Sequence, residues 1–396
     1  MAFATIDVTK GITGVTPVAN GGTALSSGFK NGVDPRPLSK PIIINGDMTI
    51  AQRDTSVTGK TSSGYYTCDR IQLAMNDAGT YTVTQETSTS GNAYANGFAE
   101  AYRIDCTTAD ASVAADSQLF IKYKVEARDA QVFKKGTANA EKFTLAFWVK
   151  SNKTGTGQVN LRDEVNTRQC SATYTISSAN TWEHKICNFA ADTTGALPST
   201  NVEGFGIEWY LAAGSNFTSG TAPTAWEAIS NADSAASLNL AISGSTDNDF
   251  SLTGVQLEVG EFTSTTLPPF QFESFGDNLA RCQRYYYFHV SEAVNSGSDT
   301  TICLTSQYNP SNMKGFIPLP TRMRAIPTLN QNTGSNMYRL YESNSNATMT
   351  SLSLTNESTF NTAVVNHGSS VSVTTGSCGN LQTMDSTAFV AFDAEL

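Results

Sequence analysis

The sequence predicts an all-β protein: an extended N-terminal arm, a jelly-roll β-sandwich and a second, C-terminal β-sandwich. Two observations predict this fold. Short runs of alternating or β-branched residues recur from about residue 41 to the C-terminus, separated by clusters of Gly, Asn, Asp and Ser. Helical patterns are scarce, and many short strands at this spacing are typical of two-sheet sandwiches.

Composition sets the expected boundaries. Residues 1–40 are rich in Gly, Pro, Ser and Thr, and cannot bury enough apolar surface to fold alone. We interpret them as an arm that becomes ordered on a partner, with a simple linker as the alternative. Their apolar residues are spaced as in an extended chain: Phe3, Ile6, Val8, Ile12, Val15 and Val18. The jelly roll is expected over 41–280 and the C-terminal β-domain over 281–396.

Individual elements follow from periodicity. In "KFTLAFWVK" (142–150), one strand face carries Phe143 and Phe147 and the other carries Trp148, which predicts a core strand with a partly covered outer face. Other predicted strands of the jelly roll are 79–87, 101–108, 157–165, 169–177, 182–190, 205–213, 236–243 and 250–260. Those of the C-terminal domain are 284–290, 301–307, 336–343, 348–355, 361–367, 370–375 and 388–396.

Two further segments carry their own signals. A short helix is predicted over 275–283, with Asp277 near its N-terminus and Leu279 and Cys282 on one face. Prolines 318, 320 and 327 predict an edge or a connection over 315–329, because proline cannot donate to a sheet ladder.

Charge excludes several partners. The net charge is −10, with only 15% of residues charged. Nucleic acid is therefore not expected as a partner, because binding it needs a basic face.

Targeting signals are not apparent in the sequence. No apolar run approaches the about 18 residues of a membrane span. The N-terminus has no signal peptide of ordinary form. The seven scattered cysteines are therefore expected to be small buried residues of a chain made in a reducing cytosol, and not a disulfide framework.

No catalytic pattern is present, so we expect a protein that is not an enzyme. The three histidines, His184, His289 and His367, have no metal-ligand spacing to one another or to a cysteine. No cofactor is expected. Acidic residues in "STDNDF" (245–250) form a weak candidate for Ca²⁺, and a solvated turn is the simpler interpretation.

Aromatic residues supply the candidates for sugar binding, because aromatic faces stack on apolar faces of flat groups. Core packing is the alternative for each of them. The candidates are Trp148, Trp182, Trp209, Tyr210, Phe217 and Trp226. Four of these, Trp209, Tyr210, Phe217 and Trp226, are joined by a Gly/Ser/Thr-rich loop of the kind that carries binding residues.

Two arginines are expected to be structural pins. Arg53 and Arg70 lie among apolar strand residues, where arginine commonly pairs with a carboxylate. The candidate partners are Asp54, Asp69 and Glu258.

The stretch "RCQRYYYF" (281–288) predicts an interface. Its four consecutive aromatic residues would occupy both faces of a strand at the junction of the two domains. We expect Tyr285 and Tyr287 to pack in the C-terminal core, and Tyr286 and Phe288 to meet the jelly roll or a neighbouring subunit.

An ordered set of motifs resembles a family of tailed-bacteriophage virion proteins. The set comprises "NGDMTIAQRDTS" (45–56) with "YYTCDR" (65–70), the closing stretch 249–288 and "FIPLPTRMRAIPTL" (316–329). The segment "GITGVTPVANGGTA" (11–24) is similar to N-terminal stretches of marine phage proteins. Each motif alone is weak, but together they cover most of the chain.

The resemblance implies a jelly roll similar to the carbohydrate-binding modules of glycoside hydrolases, in a virion structural or adhesin protein. We therefore predict a tail fibre or appendage subunit that is located in the virion after synthesis in the host cytoplasm. It would attach to other virion proteins through residues 1–40, contact a host cell-surface glycan and form a homotrimer. The alternatives are a capsid decoration, head fibre or knob protein with a purely structural role, or a secreted cellular glycan-binding or glycan-hydrolysing protein.

Overall fold

A computed structural model describes residues 40–291, 299–310, 312–342, 345–368 and 374–396. The predicted arm therefore lies, apart from Lys40, outside the described residues. Strands make up 44% of the described residues and helices 8%, which confirms the all-β fold.

Thirteen strands build the first sandwich. They are β1 (Ser56–Lys60), β2 (Gly64–Tyr65), β3 (Ile71–Asn76), β4 (Thr80–Thr87), β5 (Glu100–Thr108), β6 (Gln118–Glu126), β7 (Phe143–Lys150), β8 (Gly155–Asp163), β9 (Arg168–Ile176), β10 (Glu183–Phe189), β11 (Glu203–Ala213), β12 (Glu227–Ala228) and β13 (Asp249–Val259). A six-stranded sheet, β1-β4-β5-β13-β7-β10, packs on a seven-stranded sheet, β12-β9-β8-β11-β6-β3-β2. All pairings are antiparallel.

Alternation along β7 explains how this sandwich forms. Phe143, Leu145, Phe147 and Val149 point into the shared core and are fully buried, while Trp148 on the other face is only half-buried. The predicted faces of this strand are confirmed. Two short helices, α1 (Asn92–Ala95) and α2 (Ser215–Thr218), lie in the connections.

Ten strands build the C-terminal sandwich. They are β14 (Tyr286–Ser291), β15 (Thr301–Asn309), β16 (Asn312–Pro318), β17 (Thr328–Gln331), β18 (Tyr338–Glu342), β19 (Ser345–Met349), β20 (Leu352–Leu354), β21 (Thr362–His367), β22 (Cys378–Thr383) and β23 (Phe389–Asp393). The sheets are β14-β23-β17 and β19-β18-β22-β15-β16-β21-β20, and their facing side chains share one core.

The predicted helix is confirmed as α3 (Phe275–Gln283), which lies between the two sandwiches in the sequence. The Ser274 hydroxyl accepts a hydrogen bond from the Asp277 N–H and caps its N-terminus. Leu279 and Cys282 pack together with Ile44, Ile50 and Tyr285. The helix thus carries the chain from the first sandwich to the second over its own small core.

One predicted strand is wrong and another is wrong in part. Segment 236–243 contains turns and the start of a short 3₁₀ helix (Ile242–Gly244) but no strand. Leu240 and Ile242 are buried on either side of Ala241, which has a φ of 46°, so burial alternates without sheet pairing. Segment 348–355 is split between β19 and β20. Most of the predicted strand 370–375 lies outside the described residues.

The proline-rich segment was expected to form only edges or connections, which is wrong for its first four residues. They belong to β16, an inner strand between β15 and β21. Pro318 is the last residue of that strand, paired with Thr362, so its missing N–H interrupts no further ladder.

All seven cysteines are free. Five are buried, Cys303 is half-buried and Cys378 is exposed. In the described part of the chain, no helix is long and apolar enough to cross a membrane.

Candidate functional site

A cleft of about 340 Å³ opens on the outer face of the six-stranded sheet of the jelly roll. It lies over β7, β10 and β13 and is closed on one side by the segment that follows β13. Its lining is dominated by rings: Phe98, Trp148, His184, Phe270 and Phe272. We call this surface the aromatic cleft.

Strand pairing creates the floor of the aromatic cleft. His184 on β10 lies directly opposite Trp148 on β7. Directly opposed residues of an antiparallel pair stand side by side on the same face, so the two rings meet. Their centroids are 5.0 Å apart and their planes differ by 28°, so the two rings are stacked on each other.

Three phenylalanines form the wall. Phe98 and Phe270 meet edge to face at 4.9 Å, and Phe272 lies 4.8 Å from Phe270 and 5.2 Å from Phe98. Phe98 is buried, whereas Phe272 is 52% exposed. The wall is therefore anchored in the protein at one end and presents an apolar ring to solvent at the other.

A β-bulge in β13 makes room for these rings. The register between β13 and β7 shifts between Thr253 and Gln256, and Gly254 has a φ of 59°. A Cβ at this position would lie 2.8 Å from Trp148 Cδ1 and 2.9 Å from Phe98 Cζ. The glycine is thus required by both the backbone conformation and the close approach of the two rings.

Gly254→Ala is expected to displace Trp148 and to lower stability by about 1–3 kcal/mol, through strain and overpacking. Thermal unfolding and tryptophan fluorescence measure both effects. Gly244→Ala is the matched control, because a Cβ there meets nothing within 4 Å. Equal behaviour of the two variants would show that Gly254 does not shape the cleft.

The polar groups of the aromatic cleft are uncharged at neutral pH. Asn96, His184 and Ser264 are exposed at its margin. Partial burial, with a smaller contribution from Lys185, holds the pKa of His184 below its usual value, so its ring is a neutral donor and acceptor. Gln256 donates hydrogen bonds to the Pro268 carbonyl and to Glu258, which fixes the segment that carries Phe270. The lining, all of it within described residues, includes no carboxylate.

A larger cavity of about 620 Å³ lies beside α3, and several of its charged residues are already paired. Arg284 forms two hydrogen bonds with Glu126, and Arg281 binds Glu273 and the Pro41 carbonyl. This cavity is a junction of packed elements, and these three ionic groups of its lining are engaged within the protein. The aromatic cleft is therefore the better candidate site.

Two of the predicted sugar-binding residues are buried, so these two predictions are wrong. Trp209 is fully buried between the sheets, 5.8 Å from Phe147. Tyr210 points to the other face of β11, but it stacks on Phe120 and is covered by the segment that contains Phe217. Neither ring can stack on a sugar.

Of the other four predicted residues, Trp148 lies in the aromatic cleft and three are dispersed. Trp182 is 5% exposed and packs behind the aromatic cleft with Phe98, so it supports the wall and does not present a face. Phe217 is half-buried over Tyr210. Trp226 packs on Phe143, and its indole N–H donates to the Ala190 carbonyl. The predicted loop does not bring these residues into one site.

Trp226 instead covers a buried cation. Lys135 Nζ lies 5.2 Å from the Trp226 ring and is surrounded by four oxygens: Asp163 at 2.6 Å, Asp192 at 3.0 Å, and the carbonyls of Thr194 and Gly195, both at 2.9 Å. Burial raises the pKa of Asp192, but hydrogen bonds from Arg168 and Lys135 outweigh it and hold that pKa below its usual value.

In the segment considered for Ca²⁺ (245–250), the Asp249 carboxylate is bound by other protein groups. Asp249 binds Arg103 at 3.0 Å and accepts a hydrogen bond from the Asn152 N–H. Across the described ranges, no group of three or more His, Cys, Asp or Glu is arranged to hold a metal ion.

The four interface aromatics divide differently from the prediction. Tyr285 was expected in the C-terminal core, which is wrong: its ring lies 3.4 Å from the Arg70 guanidinium and its hydroxyl donates to Glu126 of the jelly roll. Strand β14 starts one residue later, so Tyr285 follows the helix instead of the sheet. Tyr286 lies 3.6 Å below Arg53.

The other two aromatics belong to the C-terminal sandwich. Tyr287 packs on its core and stacks on Phe392. Phe288 stacks on Phe389 at 5.9 Å. Phe288 was expected to contact the jelly roll. The structure shows a contact of its backbone, because its N–H donates to the Gln52 side chain at 3.5 Å.

Arg53 pairs with Asp69, as predicted, but both arginine pins also have partners that the sequence did not indicate. Arg53 lies 3.7 Å from Asp69, 3.4 Å from Asp393 and 3.3 Å from Glu395. Arg70, which is fully buried, pairs with Glu395 and donates to the Lys124 carbonyl at 2.7 Å. Burial raises the pKa of the Asp69 carboxyl to about 6, although Arg53 and Gln52 act in the opposite direction. The C-terminal residues thus insert into the jelly roll.

The other two expected pin partners are elsewhere. Asp54 accepts hydrogen bonds from the N–H groups of Thr55 and Ser56. Glu258 is bonded to Gln256. Neither carboxylate lies on Arg53 or Arg70, which corrects the prediction for both.

Comparison with known proteins gives only remote similarity. No protein family and no curated protein matches the sequence. The enzymatically active domain of bacteriophage CBA120 tailspike protein 4 is 9% identical, with a TM-score of 0.26 over 55% of this chain and 21% of that chain. This chain thus spans about a fifth of the tailspike chain.

Carbohydrate-binding modules are also among the similar structures. TmCBM61 in complex with β-1,4-galactotriose is 7% identical, with a TM-score of 0.26, over 56% of this chain and 99% of that one. The family 11 module of Lic26A-Cel5E from Clostridium thermocellum is 8% identical, with a TM-score of 0.25, over 52% and 98%. TM-scores this low add nothing to the argument from geometry.

Proposed function

We propose that this protein binds neutral glycans in the aromatic cleft. The observation that carries the proposal is the stacked Trp148–His184 pair beside the half-exposed Phe272 ring. Pyranose rings have apolar faces that stack on flat aromatic surfaces, and hydroxyl edges that need hydrogen-bond partners. The cleft supplies both, because Asn96, Ser264 and the neutral His184 ring stand at its margin.

Size and charge support the same ligand class. The volume of about 340 Å³ lies within the roughly 300–1,000 Å³ of small-ligand sites. The lining has no formal charge to recognise an anionic or cationic sugar. Neutral hexopyranosides therefore fit it best.

The proposed activity is binding without turnover. Most glycosidases place two carboxylates on either side of the scissile bond, at about 5–10 Å from each other. The described residues that line the aromatic cleft offer none. Incubation with a bound polysaccharide is expected to release no reducing sugar above a protein-free blank.

The biological setting that we propose comes from the sequence motifs: a subunit of a tailed-phage virion, in a tail fibre or similar appendage. Residues 1–40 would attach it to other virion proteins, and copies would associate as a homotrimer. The glycan would then be a host cell-surface polysaccharide such as an O-antigen. A capsid decoration or head fibre is the alternative, and cryo-microscopy of the particle with labelled protein distinguishes head from tail.

Trp148→Ala is expected to weaken glycan binding about tenfold or more. Loss of roughly 60 Å² of apolar contact, at about 25 cal/mol per Å², amounts to about 1.5 kcal/mol. A glycan array of neutral and acidic bacterial polysaccharides identifies the ligand, and calorimetry then compares the variants.

The matched control is Phe275→Ala. Phe275 is an aromatic residue with 64% exposure at the start of α3, outside the cleft lining. It should bind like the wild type. Undiminished binding by a folded Trp148→Ala protein, or preference for acidic glycans only, would overturn the assignment of the site.

A further inference from the structure

The outer face of the C-terminal seven-stranded sheet carries a row of exposed apolar side chains. Leu304 is 75% exposed, Phe316 56%, Tyr308 51% and Tyr341 42%. Twelve large apolar residues of the described chain are this exposed, and these four lie on three strands of one sheet, β15, β16 and β18. Such clustering marks a contact surface, whereas isolated exposed apolar residues need no explanation.

Strand register makes the row continuous. Tyr341 on β18 is opposite Asn380 on β22, and Asn380 is opposite Leu304 on β15. Thr305 is paired with Gly315, so the next position places Leu304 opposite Phe316 on β16. Because adjacent strands lie about 4.8 Å apart, the row from Tyr341 to Phe316 is about 14 Å long and is held by backbone hydrogen bonds.

The face that carries the row is close to neutral. Outward-facing positions of β15, β16, β18 and β22 hold two cations and, among the residues described, no Asp or Glu. Each cation is paired with a carboxylate from outside these strands, Lys314 with Glu357 and Arg339 with Asp299. The other outward residues of these strands, besides the row, are Ser306, Asn312, Pro318, Cys378, Asn380 and Gln382. The whole chain has a net charge of −10. Two copies that repel each other elsewhere can therefore approach through this face.

The face has the anatomy and the size of a subunit interface. Leu304 is on β15, the middle strand of seven, and the apolar centre is surrounded by a polar rim. Seven strands span about 29 Å, and the nine residues of β15 about 30 Å. That outline encloses the about 800 Å² that each partner contributes to a stable interface.

We propose that this face, centred on Leu304, is where copies of the chain associate with one another. The centre of the row is the aliphatic Leu304, whereas the floor of the aromatic cleft is the stacked Trp148–His184 pair that a sugar needs. The inference rests on the self-association within the proposed function, and it is independent of glycan binding, which belongs to the other sandwich.

Leu304→Asp tests the proposal. Sedimentation of the full chain from about 1 to 100 µM should show a wild-type oligomer and at least tenfold weaker association of the variant. Ile326→Asp is the matched control, because Ile326 is 55% exposed on the connection after β16 and should leave association unchanged. Circular dichroism and the glycan affinity of Leu304→Asp, which should match the wild type, show that the variant is folded.

Cys378 gives a second readout without a further substitution. It is the exposed cysteine of this chain and lies on β22 opposite Ser306, within the face. Maleimide should modify Cys378 several-fold more slowly in the wild-type oligomer than in Leu304→Asp. Equal modification rates, or an unchanged oligomer of Leu304→Asp, would show that copies associate through a surface other than this face. A monomeric wild type at 100 µM would contradict self-association itself, and the exposed row would then be a contact surface for a different protein. Neither result tests the glycan site, which lies on the other sandwich.

Discussion

Lys135→Met is expected to destabilise the jelly roll by about 3–5 kcal/mol, because it leaves the buried Asp163 without a cation and the buried Asp192 with Arg168 alone. The Lys135 side chain and that of Asp163 are fully buried, and Asp192 is 3% exposed. Methionine fills a similar volume but donates no hydrogen bond, so the Thr194 and Gly195 carbonyls also lose a donor. At about 2–4 °C per kcal/mol for a domain of this size, Tm should fall by roughly 10 °C.

The neighbouring residue provides the control. Lys134 pairs with Glu141 at 2.7 Å, but both side chains are exposed, and exposed ion pairs contribute about 0–1 kcal/mol. Lys134→Met should therefore change Tm by no more than a few degrees. Calorimetric unfolding of the two variants measures the difference. Similar Tm values for both would mean that the Lys135 cluster is not the buried ion site described above.

Glu395→Gln is expected to have a comparable effect on the connection between the two sandwiches. Glu395 is 6% exposed and pairs with the guanidinium groups of Arg53 and Arg70, which are themselves 8% and 1% exposed. An amide of the same shape leaves both buried cations short of negative charge, at an expected cost of about 3–5 kcal/mol. Arg324 holds the same segment through the carbonyls of Ala394 and Glu395, so the chain end should stay nearby but loosen.

Hydrogen exchange measures this loosening at the amides of β14 and β23, with Tm as the second readout. Glu357→Gln is the matched control: Glu357 pairs with Lys314 on the surface, where its side chain is 48% exposed. This substitution should lower the free energy of unfolding by only about 0–1 kcal/mol, and Tm should change little. If Glu395→Gln exchanges no faster than Glu357→Gln, the C-terminal pair does not secure the two sandwiches.

Local patterns were sufficient to predict most strands but not which aromatic rings reach solvent. Alternation correctly put Trp148 on the outer face of β7 and Phe147 in the core. The same alternation places Trp209 and Tyr210 on opposite faces of β11, yet both are buried: Trp209 lies in the core between the sheets, and segment 214–240 covers Tyr210 on the outer face. A cover formed by the loop after a strand leaves no signal in the alternation of the strand itself.

The aromatic cleft was missed for the same reason. Phe98, His184, Phe270 and Phe272 come from three separate regions of the chain, and only register and the bulge at Gly254 bring them to Trp148. The available signals were Trp148 on an outer strand face and the alternating Phe270 and Phe272 after two prolines. Glu395 as the partner of Arg70, 325 positions earlier, had no signal at all.

In the tyrosine run at 285–287, the alternation rule for strands predicts the environment of some residues but not of Tyr285. A strand pattern assigns alternate residues to two faces, and this holds from Tyr286 to Phe288, after which the register with β23 shifts. Tyr285 escapes it because α3 continues to Gln283 and the Tyr285 N–H still donates to the Cys282 carbonyl. One residue of difference in a helix end thus moves a buried ring from one core to another.

The most direct test of the account labels the four tryptophans with 5-fluorotryptophan and follows their ¹⁹F resonances while the glycan selected by the array is added. Substitution of each tryptophan by phenylalanine assigns the signals. We predict a saturable shift of the Trp148 resonance, with those of the core residue Trp209 and of Trp226 unchanged. A glycan that binds while the Trp148 signal stays in place would contradict a sugar site in the aromatic cleft.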